Sequence, residues 1–443
     1  MTTYKICSVQ TKKKIIASHI KIKTKMKVKN LLLAGLAVAA MTACSNDINE
    51  IVDNGIQPPT SEDASMSLKF AFTQTRAVTN PGTDAGEELE WNASKVTVVL
   101  DYGDAKPVIV ENLGTISSAE GNVKVAETAK FDVRSGAKVK IYAFINPGTL
   151  NYSVGVDNLV TTAKGFPSTG LDYLADAAAA ANSFMMSNKG GAPEIVDIIA
   201  GSTENKAVIE VERVCAKIQE VTDKTKNIAL TAQTVEGPKA SIKLTQYTYA
   251  NLAKSSYVLA HSTCWAAAND DAYFNQYTTK DPSYNWISGN NTTYCFENII
   301  SGNWDINNHT SVLYEGQVYF ENEDAPAATF YVKENPETGK KEIFRTWNDL
   351  TLKYNGLAET ENASDLKNFS IEKYTDGKCY YQAPIEDTTA GISIVRNNWY
   401  KLTVSKINDL GYPTPVPTVK EDTKLTIGVE MQPWTVQMVD IIL

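Results

Sequence analysis

The chain has 443 residues, 43% of them apolar and 21% charged, and a net charge of −9 at neutral pH. A chain this long exceeds one typical core, so two domains are expected. Nine lysines and no acidic residue or arginine precede Cys44, which leaves −18 on the remainder; so acidic a body argues against nucleic acid and anionic membrane surfaces as partners. The three histidines, His19, His261 and His309, are scattered, and no HExxH, CxxC, GxGxxG or GxxxxGK[ST] string occurs. Neither an enzyme nor a metal or cofactor site is expected.

From Met26 the chain reads MKVKNLLLAGLAVAAMTAC. Lys27 and Lys29 form a positive start, and Leu31 to Met41 an apolar run too short to span a membrane, which takes about 20 residues. Small residues just before Cys44 resemble a bacterial lipobox. Residues 1–43 are therefore read as a signal peptide, with 1–25 an over-long start. Cys44 is the expected lipidation site, and acylation there would anchor the chain stably. Ser45 after it does not suggest inner-membrane retention, so the outer membrane is the expected destination. The polar, Pro-containing stretch 44–65 reads as a tether.

Residues 65–77, SMSLKFAFTQTRA, follow. Met66, Leu68, Phe70 and Phe72 alternate with Ser67, Lys69 and Ala71, the period of a strand with one buried face. Thr75, Arg76 and Ala77 then lead into a loop at Asn80-Pro81-Gly82. Taken alone this is an ordinary first strand. It is also a strand that one cut after Arg76 would release, leaving an apolar groove in the sheet it completes.

The body continues as short strands between Gly, Asp, Asn and Pro, the pattern of an all-β sandwich or barrel. They fall within 91–100, 108–113, 123–128 and 138–148. The alanine run in 171–187 favours helix, and 207–221 reads as one half-buried strand. Residues 66–222 form the expected first domain. The second, 223–423, repeats the grammar with strands in 240–259, 293–299, 310–320, 328–333, 379–385 and 392–407. Residues 261–292 read as a long exposed loop whose Trp265, Tyr273, Tyr277, Tyr284 and Trp286 could stack on sugars. A short helix is expected at 346–352. Cys215, Cys264, Cys295 and Cys379 are read as buried free thiols or, equally, as containing a disulfide, with Cys264–Cys295 the pair of choice.

The last segment, 424–443, is KLTIGVEMQPWTVQMVDIIL. Leu425, Ile427, Val429 and Met431 alternate with polar residues and glycine; after Pro433, Trp434, Val436 and Met438 do so again. Both pieces could close their own sheet, or at least one could project and pair with another subunit.

KIYAFINPG (140–148), FMMSN (184–188), VERVCAKI (211–218), YCFEN (294–298), CYYQAPI (379–385) and VRNNWYKLTVSKINDLG (395–411), in this order behind a lipobox, resemble the fimbrillin family of Bacteroidales type V pili. The C-terminal strings are most similar to the major subunit of the short, minor-type fimbriae. The resemblance implies two tandem transthyretin-like β-sandwich domains with a few short helices. It implies export as a lipoprotein, cleavage by an Arg-specific protease at Arg76–Ala77 and excision of the Met66–Thr73 strand. It further implies polymerisation by donor-strand exchange, the donor being 424–443 with Leu425, Ile427, Val429, Met431, Trp434, Val436 and Met438 as its side chains. The partners would be other copies of the chain and other fimbrial subunits (anchor and tip), with host or bacterial surface ligands as adhesive targets. The mature form would sit in an extracellular fimbrium, contributing to adhesion and biofilm formation. Arg396, Asn397, Tyr400 and Lys401 read as structural. The alternative is a surface lipoprotein that acts as an adhesin or a glycan-binding tip subunit.

Overall fold

The computed structural model describes residues 62–72, 92–104, 106–120, 123–165, 184–264, 272–274, 284–300, 305–358, 362–385, 393–415 and 425–433. Cys44, the Arg76–Ala77 bond, the alanine run, Trp265, Tyr277 and everything after Pro433 lie outside them. The chain is mostly β, as the short alternating runs predict.

The first group of strands is β1 (Ala64–Phe72), β2 (Lys95–Asp101), β3 (Val108–Glu120), β4 (Val123–Thr128), β5 (Phe131–Val133) and β6 (Gly136–Ile145), then β7 (Val160–Thr162), β8 (Met186–Asn188), β9 (Glu194–Ile198) and β10 (Asn205–Arg213). All but β7 belong to one sheet, in the order β10-β8-β6-β2-β3-β4-β1-β5, with β9 on β6. A further pairing joins β1 to β10, so the hydrogen-bonded path returns to its start. β1 is the strand that closes this ring. Inside lies an apolar core that includes Met66, Leu68, Phe70, Val98, Ile141 and Ile209.

Local polar residues fix the ends of these strands. Asn146 follows β6 in the left-handed region (φ 48°), which asparagine tolerates. Its Oδ1 accepts from Ser94 N–H and Ser94 Oγ, both at 3.0 Å. Its Nδ2 donates to the carbonyls of Asn92 (2.7 Å) and Phe184 (3.0 Å). One side chain thus ties the start of β2, the end of β6 and the approach to β8.

The expected strand 207–221 is two strands in different sheets. β10 ends at Arg213, and β11 (Cys215–Glu220) begins a four-stranded sheet further along. The remaining strands are β12 (Asn227–Ala229), β13 (Ala240–Ala250), β14 (Leu252–Ala253), β15 (Ser255–Tyr257), β16 (Tyr273–Phe274), β17 (Thr292–Phe296) and β18 (Ser311–Phe320). β19 (Phe330–Glu334), β20 (Lys341–Phe344), β21 (Ile371–Tyr374), β22 (Lys378–Pro384), β23 (Asn398–Ile407) and β24 (Leu425–Pro433) complete them. The sheets β17-β11-β23-β24 and β12-β13-β18-β22 share a second core in which Tyr247, Tyr249, Tyr314 and Tyr400 are fully buried. That core also takes in Val99, Tyr142 and Phe144 from the first sheet.

Between the paired neighbours β18 and β22 the chain makes an excursion with its own small core around Leu350 and Leu366. It holds β19–β21 and two helices, α1 (Trp347–Lys353) and α2 (Ala363–Asn368). The helix expected at 346–352 is α1, started by a capping box between Thr346 and Asp349. The two flanking strands β20 and β21 are only four residues each, half of them charged, too short for the alternation to register in sequence.

Candidate functional site: the seam filled by the first strand

β1 pairs on both sides. Along one side it runs parallel to β10, with Met66 opposite Asn205 and each residue in step to Phe72 opposite Val211. Along the other it runs antiparallel to β5, from Ala64 opposite Val133 to Met66 opposite Phe131. It then meets β4 at Lys69–Glu127 and Phe70–Ala126. Met66, Leu68 and Phe70 are fully buried and Phe72 nearly so. Burying four such side chains contributes roughly 6–12 kcal/mol gross, at about 1.5–3 kcal/mol each. The alternation read from the sequence is therefore the inward face of the closing strand. Without β1 the ring would carry a slot bordered by the unpaired edges of β10 and β4–β5, with an apolar floor.

The N-terminal end of the slot is polar and built by three loops. Asp63 Oδ1 accepts from Ser135 N–H (2.6 Å) and Oδ2 from Ser135 Oγ (2.7 Å). These two bonds, the backbone one first, hold the Asp63 carboxyl below its ordinary pKa. Asp63 N–H donates to Val133 O (3.2 Å), and Gly201 N–H donates to Asp63 O (2.8 Å). Ser65 N–H donates to Ser202 O (3.0 Å), and Asn205 Nδ2 donates back to Ser65 O (3.1 Å). Further along, the buried Leu68 N–H donates to Thr128 Oγ1 (3.0 Å). Sequence reading missed Asp63, Ser135 and Asn205, which are polar, lie at loop ends and have no periodicity; only the fold brings them together.

The tail is at home over part of its length. β24 lies antiparallel to β23, from Asn398 opposite Pro433 to Ile407 opposite Leu425, with a bulge between Val404 and Lys406. Among the described residues it occupies the end of its sheet and pairs with β23 alone. Ile427 is half-buried against the second core. Leu425, Val429 and Met431 are placed by register only, and Trp434, Val436 and Met438 lie outside the described residues.

Arg396 and its neighbours knit the molecule rather than face a ligand. The buried Arg396 guanidinium pairs with Glu297, Nε donating to Oε2 at 2.8 Å, and donates to Tyr257 O (2.8 Å) and Val258 O (3.0 Å). Asn397, at φ 59°, donates its N–H to Cys215 O (2.7 Å), and its Oδ1 accepts from Arg213 Nη1 (3.0 Å). This is where the chain crosses from β10 to β11. Tyr400 OH accepts from Val395 N–H (2.8 Å). Lys401 and Lys217 each place Nζ 4.1 Å from the Trp399 ring centre.

The aromatic loop is partly packed down, against the expectation of a freely exposed stretch. Tyr273 and Ile287 are buried. Tyr284 and Trp286 lean on Ala250 and Leu313, and burial pushes the Tyr284 phenol up to about 12. Cys215, Cys264, Cys295 and Cys379 are all buried thiols outside any disulfide. The favoured Cys264–Cys295 pair does not form. Cys264 Sγ donates toward Ile299 O at 3.4 Å, while Cys295 lies in the second core on β17, and burial drives its thiol pKa upward.

Residues 372–440, from β21 through β24 and beyond, match the family model "Major fimbrial subunit protein type IV, Fimbrillin, C-terminal". Over these residues the chain is similar to the C-terminal region of the major fimbrial subunits that the model describes. That region holds the Arg396–Lys401 core and the edge strand β24. No curated protein matches the chain. Among solved structures it is similar to a candidate cell adhesion protein from Parabacteroides distasonis, at 14% identity and a TM-score of 0.46 over 86% of this chain and 99% of that one. A candidate cell adhesion protein from Bacteroides eggerthii gives 14% and 0.45 over 85% and 98%. The tip fimbrial protein Mfa3 from Porphyromonas gingivalis, C-terminally truncated, gives 12% and 0.36 over 84% and 100%.

Proposed function

We propose that this fimbrillin chain is a structural subunit of a cell-surface fimbria, made as a lipoprotein anchored through Cys44 in the outer membrane. An Arg-specific protease cuts Arg76–Ala77, the first strand leaves, and a strand from the tail of the next copy takes its place. The two sandwich domains, divided near residue 222, form the repeating body, and the fibre serves adhesion and biofilm formation.

What carries the reading is the placement of β1. It closes a ring, buries its whole inward face, and ends four residues before the only arginine between Cys44 and Arg134. A slot with two unpaired edges and an apolar floor cannot persist in water, and a foreign strand satisfies both needs. Keeping the slot filled until cleavage also keeps the precursor monomeric during export. The family match at 372–440 supports the fimbrial role from the opposite end of the chain.

The test is Arg76→Ala in the full-length chain expressed in cells that assemble fibres. The expected product is a lipid-anchored, unpolymerised precursor. Normal fibres from this variant would refute cleavage at this bond.

A further inference from the structure

At the exit of β11 a lysine stands among the parts of an amide-forming reaction. Glu220 ends the strand with its side chain at 0% exposure, and Lys224, on the loop that follows, has a side chain only 12% exposed. Lys224 Nζ lies 3.1 Å from Glu220 Oε2. The same Nζ donates to Asn290 Oδ1 at 2.8 Å and to Gly289 O at 3.1 Å. The Asn290 carboxamide carbon is one C=O bond, about 1.2 Å, from that oxygen, which puts it within about 4 Å of the amine. Aromatic rings close the inner side. The Tyr247 ring centre is 4.5 Å from Nζ, and Tyr314 OH donates to Glu220 Oε1 at 3.4 Å. Thr222 N–H donates to the same oxygen at 3.0 Å, which leaves Oε2 to the amine. The loop that carries Asn290 is held in place. Tyr247 exchanges backbone bonds with Ile287, and its OH donates to Asn291 O at 3.2 Å. Asn290 itself is exposed, so a small product formed there has a way out.

We propose that Lys224 and Asn290 join as an amide between Nζ and Cγ, with Glu220 moving the protons. Glu220 takes a proton from the Lys224 ammonium, and both charges vanish together where burial makes charge costly. The neutral amine adds to Asn290 Cγ, from which the fold already holds it a short step away. Glu220 gives its proton to the departing Nδ2 and takes another from the adding nitrogen, as a general acid and then a base. The Cγ–Nδ2 bond breaks and ammonia leaves on the exposed side. The two side chains lose one ammonia between them, and nothing is oxidised or reduced. The bond closes residues 224–290 into a covalent loop that contains β12 to β16. It fixes the end of the aromatic loop to the exit of β11, beside the pairing of β11 with β17. Pulling on the chain from either side then leaves that loop shut. The bond needs neither cleavage nor a second copy, and so stands or falls separately from strand exchange.

The test is tryptic digestion and mass spectrometry of the purified full-length chain. Residues 224 and 290 should appear in one branched peptide, lighter by one ammonia than the two linear peptides together, with Lys224 uncut. Lys224→Arg, Asn290→Ala and Glu220→Gln should each abolish the branched peptide. Linear peptides alone from the wild-type chain would overturn the proposal and reduce the contacts to an ion pair and hydrogen bonds. A loss of ammonia that persists in Lys224→Arg would mark closure of Asn290 on its own backbone, and would overturn it too. A branched peptide that survives Glu220→Gln would overturn the proton-moving role of Glu220. Should Glu220→Gln not fold, the wild-type and Lys224→Arg peptides decide.

Discussion

Phe70→Ala separates the precursor from the assembled subunit. Phe70 is fully buried at the middle of β1, opposite Ile209 on one side and Ala126 on the other. Deleting a buried phenyl ring costs about 3–5 kcal/mol, because transfer energy and a residual cavity add. The whole margin of a folded domain is about 5–15 kcal/mol, so the loss is easily measured. In the purified precursor, the unfolding free energy from urea titration should fall by that amount, through a lower midpoint with little change in slope. If the first strand is removed on assembly, subunits taken from fibres lack Phe70, and those obtained from the variant should match wild type. A precursor loss under about 1 kcal/mol would refute the packing of Phe70, given the usual cost of such a deletion. An equal loss in fibre-derived subunits would refute strand removal.

Two further outcomes follow from the geometry. Asp63 has its pKa lowered from the ordinary 3.8 by the bonds from Ser135, so its contribution is present above that value and is lost as pH falls below it. Thermal midpoints of the precursor and its Asp63→Ala variant should therefore differ at neutral pH and converge in acid; a constant gap would contradict the bonding. Glu297→Gln leaves the Arg396 charge buried without its partner and should cost about 3–5 kcal/mol in denaturant titration. A cost near zero would contradict this and mean that the Glu212 charge, Ser256 Oγ and the Tyr257 and Val258 carbonyls suffice to balance Arg396.

The inward face of β1 was legible because one-face burial imposes a two-residue period, and Met66 to Phe72 keep it without a break. Helix α1 was legible for a similarly local reason, its Thr346 and Asp349 cap. What could not be read was long-range. The parallel partner of β1 lies more than 130 residues away, and no pattern within 64–72 points to it. The change of sheet at Val214 was invisible because 207–221 alternates well enough to pass as one strand. The turn is imposed from outside, by Asn397 capping Cys215 O and Arg213. The second half of β3, GTISSAE, was passed over because it is small and polar; it pairs with β4 through its backbone along Thr115–Glu120. The clasp at Ser135 needs three loops at once and left no trace in any one of them.

Reading the first residue of the subunit recovered from fibres tests the central claim most directly. Intact-mass and N-terminal analysis should find a chain that begins at Ala77 and carries no acyl group. A fibre subunit that still begins at a lipidated Cys44, with Met66 to Phe72 in place, would contradict the account.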